Sequence, residues 1–372
     1  MATAAVFGAG DVGSAVVRRL AACDEIERLC AFDLDEERAR CALVDAAAIA
    51  SYTKRPPVTE WAVVEMRDPD RIAAALERSQ PDVIVNAATL QSWWVTTQLG
   101  GELWRRLEEE ARLGPWLPLH LLPALRLMQA RTMVGAHVPV VNVAFTDLVN
   151  PVLGRLGLAP TCGAGNSDLL YAGIRIAASA RLGVAIERIE LELLAHHYHV
   201  AYFWQGLQQR EPLARDTWHL RLLVDGEDRS SELDLGEVLA EAGRDIPPGR
   251  AVGERTAASA VKNALLLLAD TDHPTHASAP AGLVGGYDVT LGPSGARVRW
   301  PEGFSPEQAQ AVNERAQLGD GVRSIGADGR VVFTDESAAA MLSMLGYDCA
   351  VFDPDETEER ADELTARVRA LL

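Results

Sequence analysis

Short apolar runs alternate with amphipathic stretches through the first 150 residues. TAAVFG (3–8) and LCAFDLD (29–35) are continuous enough in apolar character to read as buried strands, while residues 11–22 and EERARCALVDAAAIAS (36–51) repeat apolar positions at helical spacing. WAVVEM (61–66), PDVIVNAA (81–88) and VPVVNVAF (138–145) continue the strand series. Asp68 before Pro69 opens the helix DPDRIAAALERS, a side-chain cap followed by a proline whose missing N–H costs nothing in the first turn. PDVIVNAA is nearly all apolar, as a strand covered on both faces must be. A long helical insertion separates it from the fifth strand. This alternation predicts the α/β class, with a doubly wound parallel sheet and right-handed crossovers.

The second half has a different rhythm. IERIELELLAHHYHVAYFW (186–204) predicts one long strand or two, which would set His197 and His199 on one face and His196 on the other. TWHLRLLVDGEDR (217–229) carries a hairpin signal at Asp225-Gly226. TAASAVKNALLLLAD (256–270) predicts a helix, and AGLVGGYDVTLGPSGARVRWP (281–301) two strands around a Gly-Pro turn. From about residue 320 a strand–helix–strand–helix appendage follows. The organisation expected is a parallel-sheet domain over 1–150, a mixed α+β substrate domain over 151–319, and a small α/β appendage over 320–372.

Composition narrows the function. With 372 residues, 48% hydrophobic and 24% charged, the chain can bury a large core and is not disordered. No apolar run is as long as a membrane span, and MATAAVFGAG leads straight into a strand pattern, so a cytoplasmic protein with no membrane partner is expected. Five scattered cysteines without a CxxC pair fit a reducing compartment. A net charge of −18 argues against a nucleic-acid partner. Lys54 and Lys262 are the only lysines, which leaves few candidates for Schiff-base chemistry.

GAGDVG places Gly8, Gly10 and Gly13, with Asp11 and Val12 among them, between the first strand and the first helix. Asp33 stands twenty residues after Gly13, at the end of the second strand. Glycines at these positions let the backbone approach a diphosphate at the helix N-terminus, and a carboxylate at that distance accepts both adenosine-ribose hydroxyls. An acidic residue repels a 2′-phosphate, and Asp35, Glu36 and Glu37 add to that effect, so the expected cofactor is NAD. Asn86, ending the fourth strand, and Asn142, on the fifth, are expected near the dinucleotide, Asn142 towards the nicotinamide.

AVFGAGDVGSAVVRRL, AFDLDEERARCALVDAA and PDVIVNAA together resemble the N-terminal half of the lactate/malate dehydrogenase superfamily. The likeness continues through VPVVNVAFTDLVNPVLGRLGLAP, ARLGVAIERIELELLAHHYHV and TAASAVKNALLLLADTDHPTHASAPAGLVGGYDVTLGPSGARV, covering roughly residues 4–315. It implies a Rossmann domain, a substrate domain, and NAD-linked hydride transfer to or from a small 2-hydroxy or 2-keto acid. It also implies a homodimer or homotetramer paired through Rossmann helices. A histidine in that chemistry moves the hydroxyl proton and an aspartate orients it. Spacing from the shared LGV segment places His197 at the proton carrier's position, with His196 beside it. Asp168, in GAGNSDLLYAG, falls near the aspartate's, although an aspartate after Gly-Asn-Ser equally suits a helix start.

The pattern also departs from that superfamily. Its substrate arginine falls on or near Gly173, with Arg175 the nearest substitute, and its short mobile loop is replaced by TLQSWWVTTQLGGELWRRLEEEARLGPW. Trp93 and Trp94 stand where a substrate lid would begin, as pocket walls or as packing for extra helices. A non-standard substrate is therefore expected. NAD-dependent glycosidases are similar in part: Cys162 and His199 resemble their metal-binding pair, although Gly163 follows Cys162 where that family has another residue. The working expectation is no metal, with Cys162 and His199 as the alternative metal ligands. A third class is a non-catalytic NAD-binding protein whose acidic helix DPDETEERADELTARVRALL docks a partner or forms a solvated face.

Overall fold

The structure, a computed structural model, describes residues 2–372 apart from Pro248; the side chain of Trp93 also lies outside the described set. The chain opens as β1 (Ala2–Phe7), α1 (Asp11–Ala21), β2 (Ile26–Asp33), α2 (Glu36–Ala50), β3 (Val58–Val63), α3 (Pro69–Ser79) and β4 (Val83–Asn86). An insertion follows, made of a 3-10 segment (Trp93–Leu99), α4 (Gly101–Arg106), a π-helical turn (Leu107–Ala111) and α5 (Leu117–Met133). Then come β5 (Val140–Asn142), α6 (Thr146–Arg155), β6 (Cys162–Gly163), α7 (Ser167–Leu182), β7 (Ile189–Leu194), α8 (His197–Trp204), β8 (His219–Val224), β9 (Glu227–Asp228) and α9 (Leu235–Arg244). α10 (Val252–Leu268), β10 (His273–Ser278), β11 (Gly286–Gly292), β12 (Gly295–Val298) and α11 (Pro306–Ala316) complete the middle of the chain. The tail consists of β13 (Val322–Ile325), β14 (Val331–Phe333), α12 (Asp335–Leu345), β15 (Val351–Phe352) and α13 (Thr357–Arg369).

Among the described residues, nine strands form one sheet in the order β12-β11-β10-β6-β5-β4-β1-β2-β3. From β3 to β6 the pairing is parallel in the doubly wound order 3-2-1-4-5-6, and β10 joins β6 antiparallel. Burial follows that order. Every residue of β4 is buried, whereas Val58 and Val63 on the edge strand β3 are exposed. α1 packs on α10 through small apolar residues, among them Ala15, Val16, Ala257 and Ala264. Asp68 caps α3 by accepting from the backbone N–H groups of Asp70 and Arg71, as its sequence predicts. Asp225 and Gly226 both take positive φ (51° and 82°) and close the β8–β9 hairpin.

The stretch 186–204 is not a long strand. β7 stops at Leu194 and α8 begins at His197. His196 has extended backbone angles and caps α8: its Nδ1 accepts from Tyr198 N (3.2 Å), while His199 Nδ1 accepts from His196 N (2.9 Å). This reciprocal arrangement satisfies two donors at the helix start, with imidazoles in place of the usual Ser and Glu. The run HYHVAYFW has strand-forming composition, and the cap together with burial of Val200, Tyr202 and Phe203 overrides it.

The tail shares its core with the N-terminal half. Val322, Phe333, Met341, Phe352 and Leu364 are buried in one cluster with residues of β1, β2, α3 and α5. Each such side chain contributes roughly 1.5–3 kcal/mol. α13 lies on α5, and its acidic residues are engaged by the chain itself: Glu358 by Arg67 (3.4 Å) and Arg126 (2.7 Å), and Asp362 by Arg67 (2.6 Å). No helix among the described residues is long and apolar enough to cross a membrane.

Candidate functional site

The glycine turn sits at the carboxyl end of β1. Gly8 has φ +90°, and a Cβ there would lie 2.6 Å from the backbone nitrogen of Ala88. A Cβ on Gly13 would lie 1.8 Å from the Gly8 carbonyl oxygen, so a side chain would push α1 off the turn. At Gly10 a Cβ would meet nothing within 4 Å, which leaves the turn open on the side where a ligand backbone would pass. Asp33 reaches the same turn, its Oδ2 accepting from Ala9 N (2.6 Å) and its Oδ1 from Asp35 N (2.9 Å). The first N–H groups of α1, from Asp11 and Val12 onward, have no intrahelical acceptor and give this end a partial positive charge. A cleft of about 550 Å³ opens here, lined by Gly10, Asp11, Ser14, Arg38, Trp94 and Arg250 among others. A turn with room at Gly10, a carboxylate at the end of β2 and a free helix start fit a dinucleotide.

Asn86 and Asn142 are tied to each other behind the strand ends. Asn86 Nδ2 donates to Asn142 Oδ1 (2.9 Å), and Asn142 Nδ2 donates to Asn150 Oδ1 (2.8 Å). Asn150 passes the chain on to the Ala279 carbonyl (3.2 Å). These buried amides fix the loops after β4 and β5 relative to each other.

His197 stands beside the loop after β5. Its backbone N–H donates to Asp147 Oδ2 (2.6 Å), and Asp147 Oδ1 accepts from the Thr146 hydroxyl (3.0 Å). Its Nδ1 lies 3.0 and 2.9 Å from the two carboxylate oxygens of Asp320. Among the described residues its Nε2 has no hydrogen-bond partner, and the side chain keeps 15% of its surface exposed. Burial alone would lower the imidazole's pKa, but the Asp320 charge, its hydrogen bond and the Asp147 charge outweigh that and raise it. Burial likewise opposes ionisation of Asp320, yet His197 and His196 hold its carboxyl below the usual range. The pair is a histidine–carboxylate dyad whose second ring nitrogen has no partner among the described residues.

The surroundings are arranged around that dyad. Phe145 takes a left-handed backbone (φ 40°, ψ 57°) that only a well-packed site holds in a non-glycine residue, and its ring sits edge-on to both His197 (5.7 Å) and His120 (5.8 Å). His120 is pushed down to about 4, by burial first and the His197 charge second, so it is neutral at physiological pH. Asp320 arrives from the start of the tail. A Cβ on Gly319 would lie 2.1 Å from the Tyr198 ring, and one on Gly321 (φ +80°) 2.2 Å from the Ser337 hydroxyl and 3.3 Å from the Ala111 carbonyl. Two flanking glycines thus let the chain pass between α8 and the inserted π turn and deliver the carboxylate to the histidines.

No family model matches the chain, and neither does any curated protein. Solved structures do. A lactate dehydrogenase from a Medee basin deep-sea metagenome library superposes with a TM-score of 0.58 at 11% identity, over 86% of this chain and 96% of the other. A malate dehydrogenase from Plasmodium falciparum, in complex with NADH, gives 0.55 at 12% identity, over 86% and 97%. A lactate dehydrogenase from Cryptosporidium parvum, complexed with lactic acid and nicotinamide adenine dinucleotide, gives 0.55 at 14%, over 86% and 96%. The chain has the lactate and malate dehydrogenase fold.

On that fold several residues singled out from sequence are placed away from His197. Asp168 is not its partner: both carboxylate oxygens lie 2.8 Å from Lys262 Nζ, and Oδ2 also accepts from the Ser259 hydroxyl (2.5 Å). A buried carboxylate on α7 takes the cation that α10 offers, and Asp320 fills the place left beside the imidazole. Arg175 is not brought to the site either, since it donates to the carbonyls of Ile189 (3.0 Å) and Ile186 (2.7 Å) and braces the start of β7. Gly173 is a packing position, where a Cβ would lie 2.9 Å from that of Ala242. His196, the helix cap, has its Nδ1 3.3 Å from Asp320 Oδ2 and a buried Nε2 without a partner.

Cys162 and His199 are not brought together as metal ligands. The Cys162 thiol is buried on β6, which pushes its pKa up to about 12. His199 has its Nδ1 at the cap and its Nε2 3.3 Å from the Thr217 hydroxyl, and burial with the His196 charge pushes it down to about 3. Among the described residues no group of three or more His, Cys, Asp or Glu is arranged to hold a metal. Trp94 lines the cleft at the glycine turn, its ring 5.2 Å from the Arg250 guanidinium. Trp93's side chain lies outside the described residues. Asp147, His120, Arg250 and Asp320 are absent from the sequence-derived set, and of these only Asp320 has a local signal, the Gly-Asp-Gly of residues 319–321.

Proposed function

We propose that the chain is an NAD-dependent oxidoreductase that moves hydride between nicotinamide and a carbon bearing a hydroxyl or keto oxygen, with His197 as the proton carrier. The observation that carries this reading is the His197–Asp320 dyad, set just beyond the end of β5 on the side of the sheet where the glycine turn follows β1. Ligands of open α/β sheets collect at these strand ends.

Nicotinamide, when bound, supplies or accepts the hydride. The chain's own residues handle the proton. Asp320 accepts from Nδ1–H, which fixes the tautomer and leaves the Nε2 lone pair for the substrate oxygen. In the oxidative direction Nε2 takes the hydroxyl proton, and the Asp320 charge stabilises the imidazolium that forms. In the reductive direction the protonated imidazole, which the Asp320 and Asp147 charges favour, donates from Nε2 to a carbonyl oxygen. Neutral His120 does not compete for that proton. Asp147 holds the backbone of His197 and so the direction of the ring.

The substrate class is a non-standard 2-hydroxy acid, its keto counterpart, or an uncharged analogue. Because Arg175 is braced elsewhere, a panel of hydroxy acids together with their esters and amides is the appropriate test. Appearance of NADH absorbance with NAD and one of these is the expected result. An unchanged absorbance across the panel, with NADH binding intact, would make the chain a binding module instead.

The likeness also supports a homodimer or homotetramer. Val44, Ile49 and Tyr52 on or next to α2 are exposed, Tyr52 at 89%, beside the exposed Val58 and Val63 of β3. A second copy covering that face accounts for apolar side chains left in water. Light scattering at micromolar concentration should give a multiple of the chain mass, and a monomer there contradicts this part.

A further inference from the structure

Arg250 carries a role that no motif announces. It precedes α10, yet its guanidinium is bonded to the carboxylate of Asp11, the first helical residue of α1, and lies 5.2 Å from the ring centre of Trp94. All three line the cleft at the glycine turn. The Arg250 side chain is also 62% exposed.

We propose that Arg250 is a diphosphate-binding residue of this cleft, held over it by Asp11 and Trp94 until the cofactor enters. This rests on the reading of the cleft as an NAD site. A diphosphate passing Gly10 meets the free N–H groups of α1, but it also meets the Asp11 carboxylate, which repels it. Arg250 neutralises that carboxylate and lines the same cleft as Gly10. A diphosphate adds acceptor oxygens and negative charge, and the planar guanidinium has N–H donors beyond those that reach Asp11, so it can hold both. An independent observation points the same way. Trp94 Nε1 is buried in the wall of the cleft with no hydrogen-bond partner, a donor that a ligand oxygen would satisfy.

The test is titration of the full chain with NADH, followed by NADH fluorescence, and with adenosine, which lacks phosphate, followed by calorimetry. Arg250→Met keeps the apolar stem over Trp94 and removes the charge. It should weaken NADH binding about 10–100-fold, as loss of a charge-assisted contact does, and leave adenosine binding unchanged. Asp11→Asn should bind NADH as tightly as the wild type or more tightly, since the competing carboxylate is gone. Equal NADH affinity in wild type and Arg250→Met overturns the proposal. So does an equal loss for NADH and adenosine, because Arg250 would then shape the cleft without contacting phosphate. A wild-type chain that binds no NADH refutes the NAD reading itself, and the role of Arg250 falls with it.

Discussion

Replacing His197 by asparagine is expected to lower turnover about 10²–10⁴-fold, the usual worth of a positioned general acid–base. Asparagine retains a donor that reaches Asp320 but offers nothing at the position of Nε2, the nitrogen of this ring that has no protein partner among the described residues. NADH affinity should hold, because the glycine turn, Asp33 and Arg250 lie on other elements. Some stability is lost, since Asp320 is buried and loses the imidazole bonded to it. Steady-state rates measured beside an NADH titration and a thermal melt separate the two effects. Full activity in the variant would remove His197 from the chemistry, and a rate loss matched by unfolding would make it a core residue.

The second large effect belongs to Asp320. Asp320→Asn is expected to lower turnover by about 10²-fold or more, because an orienting carboxylate sets both the tautomer and the charge of its histidine. The pH profile should move as well. In the wild type the carboxylate outweighs burial and raises the His197 pKa; without it burial dominates and the apparent pKa falls below the ordinary value of about 6.5. Stability follows the same sign. The contribution of His197 is fully present below the unfolded imidazole's pKa and is lost as pH rises through the raised folded value. That of Asp320 is present above the unfolded carboxylate's pKa and is lost as pH falls through its lowered folded value. The variant should therefore lose stability most in the window between those limits. Asp168→Asn makes the contrast. It breaks a pair in which Lys262 is a third exposed, so the cost should be about 1–3 kcal/mol in thermal or urea unfolding, with the pH profile of turnover unmoved.

The half of the fold built on the glycine turn was legible because its signals are local. GAGDVG and Asp33 lie on consecutive elements, and backbone geometry alone dictates glycine at positions 8 and 13. The hairpin at Asp225-Gly226 and the cap at Asp68 are readable for the same reason. The surroundings of His197 were half legible. His197 stands out in AHHYHVAYFW, but the capping of α8 by His196 and His199 uses residues that cap rules do not anticipate, so a helix read as a strand. Its carboxylate partner lies 123 positions further on, at the start of a tail without counterpart in the resembling sequences. No periodicity connects two such residues. The resemblance pointed to Asp168, whose actual partner, Lys262, is 94 positions further on. Pairings of this kind are decided by which chain segments share a core, and the tail joins the core of the N-terminal half.

The claim that Asp320, carried by that tail, holds the proton-carrying imidazole of His197 is tested most directly by the His197 titration itself. NMR of histidine-labelled chain follows it without any substrate, in wild type, Asp320→Asn and Asp168→Asn. His197 is expected to titrate above 6.5 in the wild type, to fall below it in Asp320→Asn, and to stay in place in Asp168→Asn. A titration that moves with Asp168 and ignores Asp320 would contradict the dyad.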